Sequence, residues 1–487
     1  MCRHRIARAA ADAPSPRWNF FPPTLGPIPG WHASPMTISA SRSQLVWSPV
    51  LGWILLSCAA TMAQAQDSTP APAAQTLQEQ TPQVDLPAVL GNSPATGGGG
   101  EVTRGELGIV IGAFTLYPML DIQVGYDTNV YATPAPTVGS PYTYIRPSLE
   151  LKSEWSRHEI RLLANGGFGF YPSATSQNYQ NYTFQFDGRL DIRNDFYATG
   201  MVAARRATEA LGTPNTEFAS APTVVDTIPI EFSLYQRFNR FFYRATAAGT
   251  RYWYYDNSVI FSGGLPATSR DRVEYEQRIR LGYEVSDDLA FWVSPSLQQR
   301  VYDVYINAAG QARDSTGWGL NVGATWTVGR KTKLEGFVGY QTLTYIADGS
   351  STPATVFGLS GVWNGYEPLT IRPSISRTIN ESAYSAYQNY VSTTIGVDFT
   401  YEIHDAWIAV GGTSINTADF SPAPGVANTN PRTDYFWKAS FGLQYMLRPQ
   451  VSIGPLYEHT TGWTSDPSSG GPQYSRDQFS IRLVAKR

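Results

Sequence analysis

Residues Tyr182 to Arg206 read YTFQFDGRLDIRNDFYATGMVAARR. Tyr182, Phe184, Phe186, Leu190 and Ile192 share one face of an extended chain. Gln185, Asp187, Arg189, Asp191 and Arg193 share the other. A period of two, apolar against charged, is a strand pattern that a helix would scramble. Asn194-Asp195 is a turn signal, and Phe196 opens a second run. The strand is longer than the usual five or six residues, and the pattern recurs to the end of the chain.

Composition agrees with an all-β protein. Only 15% of the 487 residues are charged, against about 25% in an ordinary soluble domain. Gly (43) and Tyr (29) are abundant. After the leader, no stretch approaches the ~20 apolar residues of a membrane helix. Both cysteines, Cys2 and Cys58, fall in the leader, which leaves the remainder without a disulfide or thiolate metal site. The chain carries −3 in total; the leader (1–65) holds five arginines against Asp12, so the rest carries −7. That balance argues against a nucleic-acid partner.

Residues 1–35 are rich in Pro and Arg and have no periodicity; they read as a spurious N-terminal extension, with Met36 as the true start. Residues 36–65 read as a signal peptide: Arg42, an apolar core over Leu45–Ala60, and the small-residue site Ala63-Gln64-Ala65. Leu55-Leu56-Ser57-Cys58 is an alternative lipidation site, with leucine a poor fit before the serine. Residues 66–107, rich in Ala, Pro, Gln, Thr and Gly, read as a flexible periplasmic linker with too little apolar content for a core.

From residue 108 to 487 the strands follow one another. Tight turns are predicted near Ser156-Arg157, Asn194-Asp195, Asn239-Arg240, Asp287-Asp288, Gly329-Arg330, Asn364-Gly365, His404-Asp405 and Arg448-Pro449. Nine longer polar loops lie between them. Eight short turns and nine loops give about eighteen strands (16–18), with both ends of the barrel on the short-turn side. Short turns at one end and long loops at the other describe a transmembrane antiparallel up-and-down β-barrel of the outer membrane. Aromatic residues near strand ends, among them Trp155, Phe196, Phe241, Trp253, Trp407 and Trp437, suit the interfacial belts of such a barrel. A β-propeller is the competing architecture, since turns recur every 35–48 residues. Each period, however, holds two long strands rather than four short ones.

Prolines conflict with that simple pattern. Ile145-Arg-Pro-Ser-Leu149, Val293-Ser-Pro-Ser-Leu297 and Ile371-Arg-Pro-Ser-Ile375 are near-copies, and Pro118 and Pro455 also lie inside strand runs. Proline removes a ladder donor, so bulges or strand starts are expected at these positions.

At Gly125-Tyr-Asp-Thr-Asn-Val-Tyr131, Glu154-Trp-Ser-Arg-His158 and Asp187-Gly-Arg-Leu-Asp-Ile-Arg-Asn-Asp195 the chain resembles the "putative beta-barrel porin 2" family of Gram-negative outer-membrane proteins. The likeness covers roughly residues 108–487. It implies an outer-membrane barrel, often encoded near exopolysaccharide or capsule genes, with no agreed catalytic residues. The C-terminus departs from the usual aromatic insertion signal and ends in Arg487.

Little in the sequence points to catalysis. His158, His404 and His459, the histidines after the leader, are far apart, so no Ser–His or metal constellation is apparent. No metal site or cofactor is expected, and a barrel enzyme is the third and least favoured reading, which would need a His, Ser and Asp/Glu cluster at one rim. The charged strand faces say more. Asp187, Arg189, Asp191 and Arg193, with Glu274, Glu276, Arg278 and Arg280, are expected to line the lumen, because a midplane charge facing lipid costs ~2–4 kcal/mol. They would act as a cross-strand ladder, a polar pathway, or both. Tyr252-Trp253-Tyr254-Tyr255 reads as a belt, with sugar stacking as the alternative. The first functional reading is a passive porin-like channel for saccharides or an exported polysaccharide. The second is a closed structural barrel that docks an envelope polysaccharide system, its 66–107 arm reaching a periplasmic partner. The expected partners are outer-membrane lipid and a polysaccharide or small solute, and nothing marks an oligomeric interface.

Overall fold

In the computed structural model, residues 108–216, 221–255, 266–307, 310–328, 332–424 and 430–487 are described. The leader, the linker, the lipidation alternative at Cys58 and the turn expected at Gly329-Arg330 lie outside them. A three-residue strand, β1 (Ile109–Ile111), pairs with the start of β2 (Phe114–Asp127). Then follow β3 (Ser140–Ser153), β4 (Glu159–Phe170), β5 (Tyr179–Arg193), β6 (Phe196–Glu209), β7 (Thr223–Phe238), β8 (Phe241–Tyr255) and β9 (Arg272–Ser286). The second half holds β10 (Leu289–Tyr302), β11 (Ser315–Val328), β12 (Thr332–Tyr345), β13 (Ser351–Tyr366) and β14 (Leu369–Glu381). It ends with β15 (Tyr387–His404), β16 (Trp407–Pro422), β17 (Arg432–Arg448), β18 (Val451–Thr464) and β19 (Tyr474–Lys486). Each strand pairs antiparallel with the next, and β19 pairs with β2, so β2 to β19 form a closed ring of eighteen.

The ring is inside out relative to a water-soluble protein. Phe184 is 58% exposed while its neighbour Gln185 is 8% exposed. The apolar rows therefore face outward, as a lipid-facing wall requires, and the polar rows face the lumen. Beyond the apolar rows, on the loop side, the outer face turns to paired charges. Arg206 meets Asp226 at 2.7 Å, Arg251 meets Asp303, Arg377 meets Asp419 at 3.5 Å, and His459 meets Asp477 at 2.8 Å.

Closure is reinforced from inside. Gln478 lies opposite Asp127 and Lys486 opposite Met119, and Arg487 donates its backbone N–H to the Pro118 carbonyl. Asp121 on β2 accepts from Arg482 of β19 at 2.9 Å and pairs with Arg146 of β3 at 3.1 Å. Asp127 accepts from Arg476 and from Gln478 at 2.8 Å. Both carboxylates are buried, so each needs these partners.

The prolines occupy neither bulges nor strand starts. Pro147, Pro295, Pro373 and Pro455 sit mid-strand, paired on one side with Leu120, Leu320, Val397 and Ile481. On the other side two successive pairs drop out and the register resumes unchanged, as from Ile145↔Phe168 to Ser148↔Asn165. A strand sends alternate N–H groups to alternate neighbours, so one missing donor weakens one ladder locally. Pro118 pairs with Leu149 where the β19 ladder has already ended. The turn expected at Asn364-Gly365 instead falls at Glu367-Pro368, after a register shift between Trp363 and Tyr366. Pro368 has no N–H to lose and its fixed φ suits a turn.

Replacing Asp121 by Ala should destabilise the refolded barrel by about 3 kcal/mol, because two guanidinium groups at the seam lose their carboxylate. Asp187→Ala, at a half-exposed site, should cost under about 1 kcal/mol. Urea unfolding followed by tryptophan fluorescence measures both, and equal midpoints for the two variants would refute this account of the seam.

Candidate functional site

At the loop end the alternating burial breaks down. Ile379, Asn380 and Glu381 are buried in succession, as are Tyr387 to Val391. A wall strand has one outward face, so consecutive burial means that the β14–β15 tip is covered on both faces, as Ile408 to Gly411 of β16 also are. The pairing agrees. The β13–β14 ladder stops at Phe357↔Arg377, although β13 stays paired with β12 as far as Ser351. The tip leans into the lumen, where Ile379 and Val391 pack with Leu343, Tyr345 and Ala354.

Side chains from distant strands hold it there. Arg300 of β10, four strands from β14, donates to the Ile379 carbonyl at 3.1 Å. Glu381 is the hub. Its carboxylate meets Arg270 at 2.5 Å, Arg272 and Arg313 each at 3.5 Å, and the Tyr302 hydroxyl at 3.1 Å. Arg270 lies in a 3-10 turn, Ala267–Arg270, and forks onto Glu209 at the end of β6 with two bonds of 2.8 Å. Such a bidentate pair fixes geometry as well as charge. Its guanidinium stacks 4.0 Å from the Tyr254 ring. Arg270, Glu209 and Glu381 are 1–3% exposed. Burial alone would lower the Arg270 pKa, but the carboxylates of Glu209 and Glu381 hold it well above its ordinary value, so the group stays charged.

Loop residues join the same cluster. Asn215, at φ +72°, donates to the Glu381 carbonyl at 3.1 Å and accepts from the Ala383 N–H at 3.0 Å. This spans the lumen, since Asn215 follows β6 and the ring places β6 eight strands from β14. Arg313 donates to the Ser382 and Ser269 carbonyls, and Gln311 to that of Ser385. The Tyr474 hydroxyl donates to Gly212 at 2.6 Å. An aromatic layer of Tyr384, Tyr387, Tyr390, Phe420 and Phe436 packs beside this cluster, with Arg432 4.8 Å from the Phe420 ring.

The charged residues singled out from sequence fall on inward rows, most of them nearer the short-turn end. Arg189 pairs with Asp191 at 2.9 Å and lies 3.9 Å from the Tyr197 ring. Asp187 accepts from Gln185 and meets Arg161 at 3.5 Å. Arg193 is exposed at the turn, near Phe196. Glu276 meets Arg278 at 3.6 Å, and Arg280 meets Glu335 at 3.0 Å. Glu274, bonded to Arg272 at 2.8 Å, belongs to the closing network instead. Trp155, Phe196, Phe241 and Trp407 sit at the short-turn end, while Trp253 and Trp437 sit on the outer face toward the loops.

Glu209, Arg270, Arg313 and Glu381 were not singled out from sequence. All four lie in loops or at a strand's last residue, where no periodicity operates. Alternation along Ile371, Pro373, Ile375 and Arg377 would even turn Glu381 outward. The histidines stay dispersed. His158 accepts the Asp191 N–H, while the His459 ring meets Asp477 at 2.8 Å and lies 5.3 Å from the Trp437 ring, and Asp477 also accepts from the Tyr457 hydroxyl. Among the described residues no group of His, Cys, Asp or Glu is placed to hold a metal.

Three solved structures resemble the fold. Pseudomonas aeruginosa OpdO is 11% identical, with a TM-score of 0.40, over 76% of this chain and 97% of its own. The outer membrane protein OpdK of the same organism is 10% identical, with a TM-score of 0.41, over 76% and 99%. Acinetobacter baumannii OccAB4 is 11% identical, with a TM-score of 0.41, over 79% and 100%. No match was found among curated proteins. The family model described as "Putative beta-barrel porin 2" matches residues 104–487. The chain belongs to that family and is a porin-type β-barrel of the bacterial outer membrane.

Proposed function

We propose that the barrel is a passive, non-enzymatic channel for polar solutes, closed at its loop-side mouth by the Glu381 network. The observation that carries this reading is the inner wall itself. Its rows of opposed charges run from the short-turn end up to the network, and the network is ionic rather than apolar. Water and hydroxylated solutes wet such a wall, and opposed charges give weak ion selectivity. Saccharides are the solute class we favour, because arginine–carboxylate pairs beside tyrosine and tryptophan offer both hydrogen bonds and flat faces. Passage of an exported polysaccharide is the larger version of the same role. The outer apolar wall is bounded by aromatic girdles in lipid, and residues 66–107 are a candidate arm for a periplasmic partner. Nucleic acid is not proposed as a partner.

A second reading is favoured by the burial of the mouth, namely a permanently closed barrel that docks an envelope polysaccharide system. Planar-bilayer recording of the full chain separates the two. The wild type should show infrequent openings. Glu381→Gln removes the charge that Arg270, Arg272 and Arg313 share, and openings should rise by about tenfold or more. Silence of both proteins, with circular dichroism showing folded strand, would favour the closed barrel.

Solute class can be read from the same recordings. Neutral oligosaccharides added on the short-turn side should interrupt the Glu381→Gln current, and Arg280→Ala should weaken the block about tenfold if one charged contact is lost. Undisturbed current at millimolar sugar would remove saccharides from the proposal.

A further inference from the structure

We infer that the β14–β15 tip is a two-position gate, whose second position is a place in the barrel wall beside β13. The inference rests on the channel reading above and names its regulation.

The wall has kept a place for it. The six loop-side residues of β13, Ser351 to Val356, are paired with β12 but have no partner on the β14 side. Pro353 lies in this stretch, and proline is tolerated where a strand has a free edge. Extending the register from Phe357↔Arg377 sets Thr355 opposite Ile379 and Pro353 opposite Glu381.

The tip's sequence also suits the wall. Arg372, Ser374, Ser376, Thr378, Asn380 and Ser382 alternate with Ile371, Pro373, Ile375, Arg377, Ile379 and Glu381. The polar row runs unbroken past the point where wall pairing ends. Placed in the wall, Thr378, Asn380 and Ser382 would extend the polar inner face. Glu381 would face outward, on the loop side of the Arg377–Asp419 pair and beyond the apolar rows. A segment meant only as a fixed plug has no need of that alternation.

The present position is held by bonds that can be exchanged. Arg300, Arg313, Asn215 and Gln311 reach backbone groups of the tip, and Asn389 donates to the Tyr345 and Thr352 hydroxyls at 3.0 and 2.8 Å. These are contacts that water can replace. Moving the tip out trades them for the missing β13–β14 ladder. Two discrete arrangements, one held by these bonds with the β13 edge open and one laddered to β13, are what a switch requires.

Two cysteine pairs test this in the full chain, assayed in outer membranes and then in bilayers, with each single-cysteine variant as its baseline. Thr355→Cys with Ile379→Cys can bond only in the wall position, because Ile379 now packs with Ala354 on the inner face while Thr355 is exposed on the outer face. Asn215→Cys with Ala383→Cys can bond only in the present position. Disulfide formation is read by loss of maleimide labelling after denaturation. The expected result is that oxidising the first pair raises open probability about tenfold or more, oxidising the second abolishes openings, and reductant reverses both. Failure of the first pair to oxidise in a protein that still conducts would overturn the gate and leave the channel standing. Oxidation of the first pair without any conductance would support the second position and overturn the channel reading instead.

Discussion

A backbone crossing hydrocarbon finds no water, so every strand there needs a partner on both sides. The rest of this structure follows from that constraint. It forces β19 onto β2, where Asp121 takes arginines from β19 and β3 and Asp127 takes Arg476 of β19, and it turns the phenylalanine rows outward. It also explains where the rule is relaxed. Apart from the pairs lost opposite Pro373 and the shift after Trp363, the β13–β14 ladder holds until Phe357↔Arg377, the level at which the outer face changes from Ile375 to the Arg377–Asp419 pair. Above that level headgroups and water can satisfy an open edge. A split of the wall is affordable there and would not be one turn of pleat lower.

The prolines show the same constraint from the other side. Each mid-strand proline removes one donor and leaves its neighbour's carbonyl without that bond, yet the register on either side is kept. Opposite Pro147 stands Gly166, where an added Cβ would come within 3.0 Å of the proline ring. At Pro147 the wall accommodates the ring by close approach at a glycine rather than by a bulge.

How much of this was legible beforehand depended on period. Strand count, the direction of the charged rows and most turns follow from alternation, which is a local property of residues such as Phe184 and Asp187. The Glu367-Pro368 turn was misplaced because Asn364-Gly365 carries the stronger turn signal, while Gly365 actually gives room to the Trp363 ring. The closing network was illegible for a deeper reason. Glu209, Arg270 and Glu381 are separated by 61 and 111 residues along the chain, and two of the three lie at strand ends. Alternation assigns Glu381 outward. It points inward because β14 has parted from β13 there while β15 stays laddered to β16, a tertiary event that no local period encodes.

That the closure is ionic is itself informative. Burying Arg270, Arg272 and Arg313 with Glu209 and Glu381 costs desolvation that well-packed leucines would avoid, so these pairs are weak evidence of stability for its own sake. What they supply is a single arrangement, fixed by forked geometry, that depends on all its members at once. An apolar plug would gain from burial in proportion to area and would resist opening accordingly. A plug of paired charges gives back hydration when it opens, so its two positions can lie close in free energy. The barrel thus combines a wall made permanent by backbone pairing with a mouth whose closure can be undone by solvent.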